Sequence, residues 1–172
     1  MKIIKCELDT ESLDKAIKEL QEYRENIENK VIEFVNLLLQ DGIAVANAKL
    51  GSTIGDSTDA TVGFSVNDDG EVVSAEINLT GTEALFIEFG AGIAYNTGAQ
   101  HPQASEFGYG PGTYPSKHPP NRAINPGRWI YGHNDDGSPI WSIGTQASMP
   151  IYHASEEMRN KVIQRAKEVF KN

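Results

Sequence analysis

Apolar residues at Leu13, Ile17, Leu20, Ile27, Val31, Phe34 and Leu38 return every three or four positions, with Arg24 as the interruption. That spacing puts them on one face of a helix. Asp9 and Thr10 supply capping oxygens at its start, and Glu11 and Asp14 suit the positive end of the helix dipole. Continued to Lys49, such a helix has about 40 residues and a length of about 60 Å. Asp41-Gly42 is the expected site of a bend, since glycine costs about 1 kcal/mol against alanine inside a helix. The stripe is longer than one small sheet can cover. Part of it is therefore expected to pack on a neighbouring subunit, with a core-facing helix hairpin as the alternative.

At 172 residues the whole chain has the size for one domain around a single core, residues 1–172. No apolar run looks long enough to span a bilayer, and Met1–Cys6 is too short and lysine-rich for a secretory signal, so a cytosolic product is expected. Cys6 is the only cysteine, which excludes an intrachain disulfide and a cysteine-based zinc site. The formal charge of −9 is uneven: residues 1–89 carry 18 acids and 7 bases, residues 90–172 carry 6 acids and 8 bases. So acidic a chain lacks the clustered cations that phosphate binding needs. The split points instead to surfaces of opposite sign that meet between subunits, or to helix faces that keep the protein soluble.

Thr61–Val66 and Glu71–Leu79 read as strands joined through Asn67-Asp68-Asp69-Gly70, a hairpin with an Asp-Gly turn. Leu85, Ile87 and Phe89 alternate with Phe86 and Glu88, so Thr82–Phe89 reads as a third antiparallel strand, stopped at Gly90 and Gly92. Residues 60–90 thus form an antiparallel sheet of three strands or more. Glu88 sits among large apolar side chains, where a carboxylate must be hydrogen-bonded or paired; a structural tie outweighs a catalytic role. Asn134-Asp135-Asp136-Gly137 repeats the first turn between Arg128–Tyr131 and Pro139–Ile143, a second hairpin over 128–144. Neither acidic turn has the ligand spacing of an EF-hand, and turn chemistry accounts for both.

Residues 91–127 are too rich in glycine and proline for regular structure, and so long a loop is usually functional or disordered. Its aromatic residues argue against plain disorder. From Phe107 to Asn134 there is no acid, whereas Lys117, Arg122 and Arg128 are present. An aromatic, basic loop on an acidic protein has the form of a protein contact surface, with Tyr109, Tyr114, Arg122, Arg128 and Trp129 as its candidate interface residues. The last helix, within 148–171, opens at Pro150 with Ser148 as its cap and buries Met158, Val162, Ala166 and Val169. The fold class is α+β: an antiparallel sheet packed with a long N-terminal helix and a C-terminal helix, plus the long Gly/Pro/aromatic loop.

Phe86-Ile87-Glu88-Phe89-Gly90 resembles the aromatic-X-Glu-Phe-Gly signature of a family of tailed-phage minor structural proteins, the head–tail joining or neck proteins. The likeness extends to the long helix upstream and to Ala147–Ala154 downstream, where Pro150 matches the family's proline. Gly108–Pro115 is similar to an enlarged loop of one subgroup from phages of Gram-positive bacteria. The usual Pro…Thr-Gly…Leu pattern after the first helix is absent. The resemblance makes Phe86, Glu88, Phe89, Gly90 and Pro150 structural motif residues. It implies a minor tail, neck or tail-completion component of a phage or prophage, assembling as a homo-oligomeric ring through which DNA passes. It also implies connector, stopper and tail-terminator partners, and residence in the virion after assembly in the host cytoplasm.

No catalytic residue, metal site or cofactor is expected. His101, His118, His133 and His153 show no metal-ligand spacing, and neither a phosphate loop nor a nucleophile elbow is present. The alternatives are a phage hydrolase or nuclease using Glu88 or His133 with Asp135, and a monomeric protein-binding module.

Overall fold

The computed structural model describes Ile4, Glu7 and residues 9–53, 59–92, 100–111, 129–142 and 144–171. The short strand expected over Lys2–Leu8 lies mostly outside these residues. Helix α1 spans Thr10–Thr53. Asp9 caps it as expected: the Ser12 N–H donates to Asp9 Oδ1 at 2.9 Å, and Ser12 Oγ returns a bond by accepting the Glu7 N–H at 2.8 Å. The helix runs through Asp41-Gly42 without a break. Gly42 is there for close approach: a Cβ on it would stand 2.6 Å from Ile77 Cδ1 and 2.9 Å from Met158 Sδ. The missing side chain lets the sheet and the last helix close on α1 together.

Strands β1 (Thr61–Asp68) and β2 (Val73–Thr80) form the expected antiparallel hairpin, running from Thr61 opposite Thr80 to Asp68 opposite Val73. Asp68 Oδ1 accepts the Gly70 N–H, and Asp69 Oδ1 accepts those of Glu71 and Val72. These carboxylates are committed to the turn.

The expected third strand is a helix. After β2, Asp59 accepts both the backbone N–H and the hydroxyl of Thr82, at 3.0 and 2.7 Å. This turns the chain out of the sheet, and α2 follows at Ala84–Phe89. Ala84, Ile87 and Glu88 are its buried residues, a spacing of three and four, while Leu85 is exposed. The alternation of Leu85, Ile87 and Phe89 was coincident with that pattern, and so short an apolar run does not separate strand from helix by period alone.

Beyond α2, β3 (Ala91–Gly92) lies parallel to β4 (Gly110–Pro111), a 3-10 turn occupies Ala104–Phe107, and β5 (Trp129–His133) pairs antiparallel with β6 (Pro139–Ser142). The second acidic turn is again a hairpin turn, with the Ser138 N–H on Asp136 Oδ1. The fold thus keeps the α+β class, but among the described residues its sheets are separate two-stranded pairs.

Helix α3 spans Pro150–Phe170 and lies along the C-terminal half of α1. Leu39 and Ala46 of α1 and Ala154 and Val169 of α3 are buried; Val162, expected in that stripe, is exposed instead. Phe34 meets Phe170 at a ring separation of 6.1 Å. Arg165 grips Asp41 with two bonds, Nε to Oδ2 at 2.8 Å and Nη2 to Oδ1 at 2.7 Å. By length and composition α1 is apolar enough to cross a membrane, contrary to the reading of the sequence. In this fold its C-terminal half carries the ion pair with α3 and the contacts with β2.

The Arg165 hydrogen bonds hold the Asp41 carboxyl below its ordinary range, with the guanidinium charge adding to them against the cost of burial. A depressed folded-state pKa stabilises the fold above the unfolded carboxylate pKa and loses that effect as pH falls through the folded value. Asp41→Asn should therefore lower the melting temperature at neutral pH. The gap from wild type should shrink as pH drops below the carboxylate range, measured by calorimetry across a pH series.

Candidate functional site

The N-terminus of α3 has backbone N–H groups with no partner inside the helix, and α2 answers them. Met149, at the cap position, takes a left-handed conformation with φ 55° and offers no side-chain bond. Ser148, the expected cap, has a buried hydroxyl without a hydrogen-bond partner among the described residues. Its backbone N–H donates to the Ile87 carbonyl at 2.9 Å. Pro150 has no N–H to satisfy. The N–H groups of Ile151 and Tyr152 donate to Glu88 Oε2 and Oε1 at 2.9 and 2.8 Å. A carboxylate from a helix 63 residues earlier in the chain thus performs the work of an N-cap, and its negative charge lies at the positive end of the α3 dipole.

His101 completes the clasp. It is buried, and its Nε2 stands 3.4 Å from Glu88 Oε1. The Gln103 N–H donates to His101 Nδ1 at 3.1 Å, so Nδ1 is an acceptor and the ring proton sits on Nε2, facing Glu88. Nδ1, the basic nitrogen of this tautomer, is occupied by the Gln103 N–H. His153, half-buried on the first turn of α3, is held below the ordinary histidine range by burial, and then by the charge of Lys49.

Aromatic rings close around this centre. Phe89 lies 4.5 Å from His101, edge to face, 5.2 Å from Phe107 and 5.5 Å from Tyr109, stacked. Phe86 meets Tyr109 at 5.7 Å and His101 meets Tyr152 at 5.2 Å. Gly90 then leaves α2 at φ 72°, and a Cβ there would come within 2.9 Å of the Ala147 nitrogen. Next to it, Ala91 and Thr145 exchange both backbone bonds at 2.9 Å. An open groove of about 610 Å³ passes the clasp, with Glu88, Phe89, His101 and Tyr152 on its wall and Glu156 and Arg159 among its lining residues.

Glu88 and Gly90 are therefore brought against the segment that carries Pro150, while Phe86 and Phe89 pack on the rings beside it. Tyr109 packs there as well: its ring meets those of Phe86 and Phe89, and the residue is half-buried. Trp129 lies in β5 opposite Ser142; Tyr114, Arg122, Arg128 and His118 fall outside the described residues. His133 and Asp135 are exposed at the second hairpin turn, and among the described residues no three His, Cys, Asp or Glu side chains are placed to hold a metal ion. The sequence reading missed His101 in the joint. A lone histidine before a proline, in a segment of glycines and polar residues, gives no signal that it faces Glu88.

The chain matches no protein-family model, no curated protein and no solved structure.

Glu88→Gln keeps the shape but leaves one oxygen to accept a backbone N–H and sets an amide NH2 against the other, and should cost about 2 kcal/mol in a urea titration. Wild-type stability in that variant would contradict the clasp. Gly90→Ala combines a strained backbone with a backbone clash, and should cost about 2 kcal/mol or more by the same measurement.

Proposed function

We propose that this chain is a structural protein of a tailed bacteriophage or prophage, a minor tail or neck component of the head–tail connector and tail-completion type. In this reading it assembles as a homo-oligomeric ring in the virion neck, meets connector or stopper and tail-terminator proteins, and lets DNA pass through the ring. The observation that carries the reading is the convergence of the resemblance's own residues. Glu88 and Gly90 meet the residues on either side of Pro150 across about 60 residues of chain, in a joint that consumes Glu88 in backbone hydrogen bonds. A motif used this way serves architecture. The hydrolase alternative needs a carboxylate or imidazole free for proton transfer, and the bonds on Glu88 and His101 support the structural role instead.

Tyr114, Arg122, Arg128 and Trp129 remain the partner-docking residues of this proposal. Particles released by a strain that encodes the chain should carry it at the head–tail junction when a labelled copy is imaged by electron microscopy. Particles that lack it altogether would overturn the reading. Trp129→Ala should leave the melting temperature within a few degrees of wild type and block head–tail joining; a core role would instead cost about 3–5 kcal/mol of stability.

A further inference from the structure

Helix α1 has two regimes. From Leu39 onward it contains buried residues, but from Thr10 to about Asn29, roughly 30 Å of helix, none is buried. Along this bare arm Leu13, Ile17, Leu20 and Ile27 are 41, 53, 55 and 39% exposed. They belong to the same three-and-four stripe as Val31, Phe34 and Leu38, which continues beneath α3. The arm therefore presents a prepared packing face with no partner among the described residues.

A second exposed apolar face lies on α3. Val162, Ala166 and Phe170 form one row, which ends where the Phe170 ring meets Phe34 of α1, and Ile163 begins the next, which continues as Lys167 and Lys171; together they line a shallow groove. Ile163 is 68% exposed. The two faces have opposite charge. Residues 10–29 hold six acids and three bases, whereas residues 159–171 hold five bases and one acid. Glu11, Asp14, Glu22 and Glu25 on the arm, and Lys167 and Lys171 on α3, form no ion pair among the described residues.

We propose that the arm of one copy docks on the α3 groove of a second copy, its stripe against Val162, Ile163, Ala166 and Phe170 and its acids beside Lys167 and Lys171. Each copy then gives an arm and receives one. Such a head-to-tail contact repeats until it closes into a ring or runs on as a filament. The rival occupant is a second arm in a symmetric coiled coil. In a parallel, in-register pair Arg24, central in the stripe, would face its own copy, and two acidic helices would be pressed together. Against α3 the arm's charge is complemented. The contact deepens the assembly reading and rests on it only in taking copies of this chain to meet.

Single-cysteine chains test it directly. In a Cys6→Ser background, Leu20→Cys places a thiol on the arm and Ile163→Cys one on the groove, both at exposed positions that should leave the fold intact. Mixed in equal amounts under oxidising conditions, the two chains should give mainly the disulfide between positions 20 and 163. Adding Lys167→Glu and Lys171→Glu to the groove chain should reduce that product at least fivefold. A product dominated by arm-to-arm links would overturn the proposal, as would a wild-type chain that sediments as a monomer at every concentration reached with no cross-link in the mixture. The outcome is independent of where the chain resides: the cross-link survives even if the virion lacks the protein, and a chain found in the neck without the cross-link leaves the neck reading standing while this contact falls.

Discussion

The Glu88 carboxylate at the N-terminus of α3 holds the parts of this fold that lie far apart in the chain. An uncapped helix start leaves several backbone donors to water, and one buried against protein must find acceptors elsewhere. Here Ile87 supplies a carbonyl and Glu88 two carboxylate oxygens, so consecutive residues of α2 satisfy the opening turn of α3. The geometry needs α2 to be a helix, which aims Ile87 into the core and Glu88 at the α3 terminus. It also needs Gly90 for the sharp exit and Pro150 for a start without a further donor. His101 then approaches the carboxylate, and the rings of Phe89 and Tyr152 pack against His101. Each residue of the motif follows from the others.

Much of this was legible in the sequence, but unevenly. The long helix, its Asp9 cap, both Asp-Gly hairpins and the C-terminal helix come from local rules, where one residue's chemistry acts on neighbours a few positions away. The failures share a cause as well. Ala84–Phe89 is short and apolar throughout, so its period was ambiguous and only the contact with α3 settles it. Gly42 carries a helix-breaking propensity that the packing of Ile77 and Met158 overrides. Ser148 looked like a cap because capping is normally local, whereas this cap arrives from across the fold. That Glu88 required a partner was legible from its apolar setting; the identity of the partner was not, since it lay in backbone N–H groups rather than in any side chain of opposite charge.

The same division explains why the molecule has a closed end and an open one. Around Gly42, Asp41 and the α2–α3 joint, the elements supply each other's missing groups. Along the first turns of α1 the stripe continues with nothing described against it, and α3 shows an apolar row on its outer side.

Amide hydrogen exchange at Ile151 and Tyr152 in the wild-type chain tests the joint most directly. These are early positions of a helix, where amides normally exchange readily because they lack an internal partner. If Glu88 caps α3, both should be protected to the level of the α3 interior, exchanging only with global unfolding. Exchange of these two amides at the rate of a frayed helix start, with the interior of α3 still protected, would contradict the account.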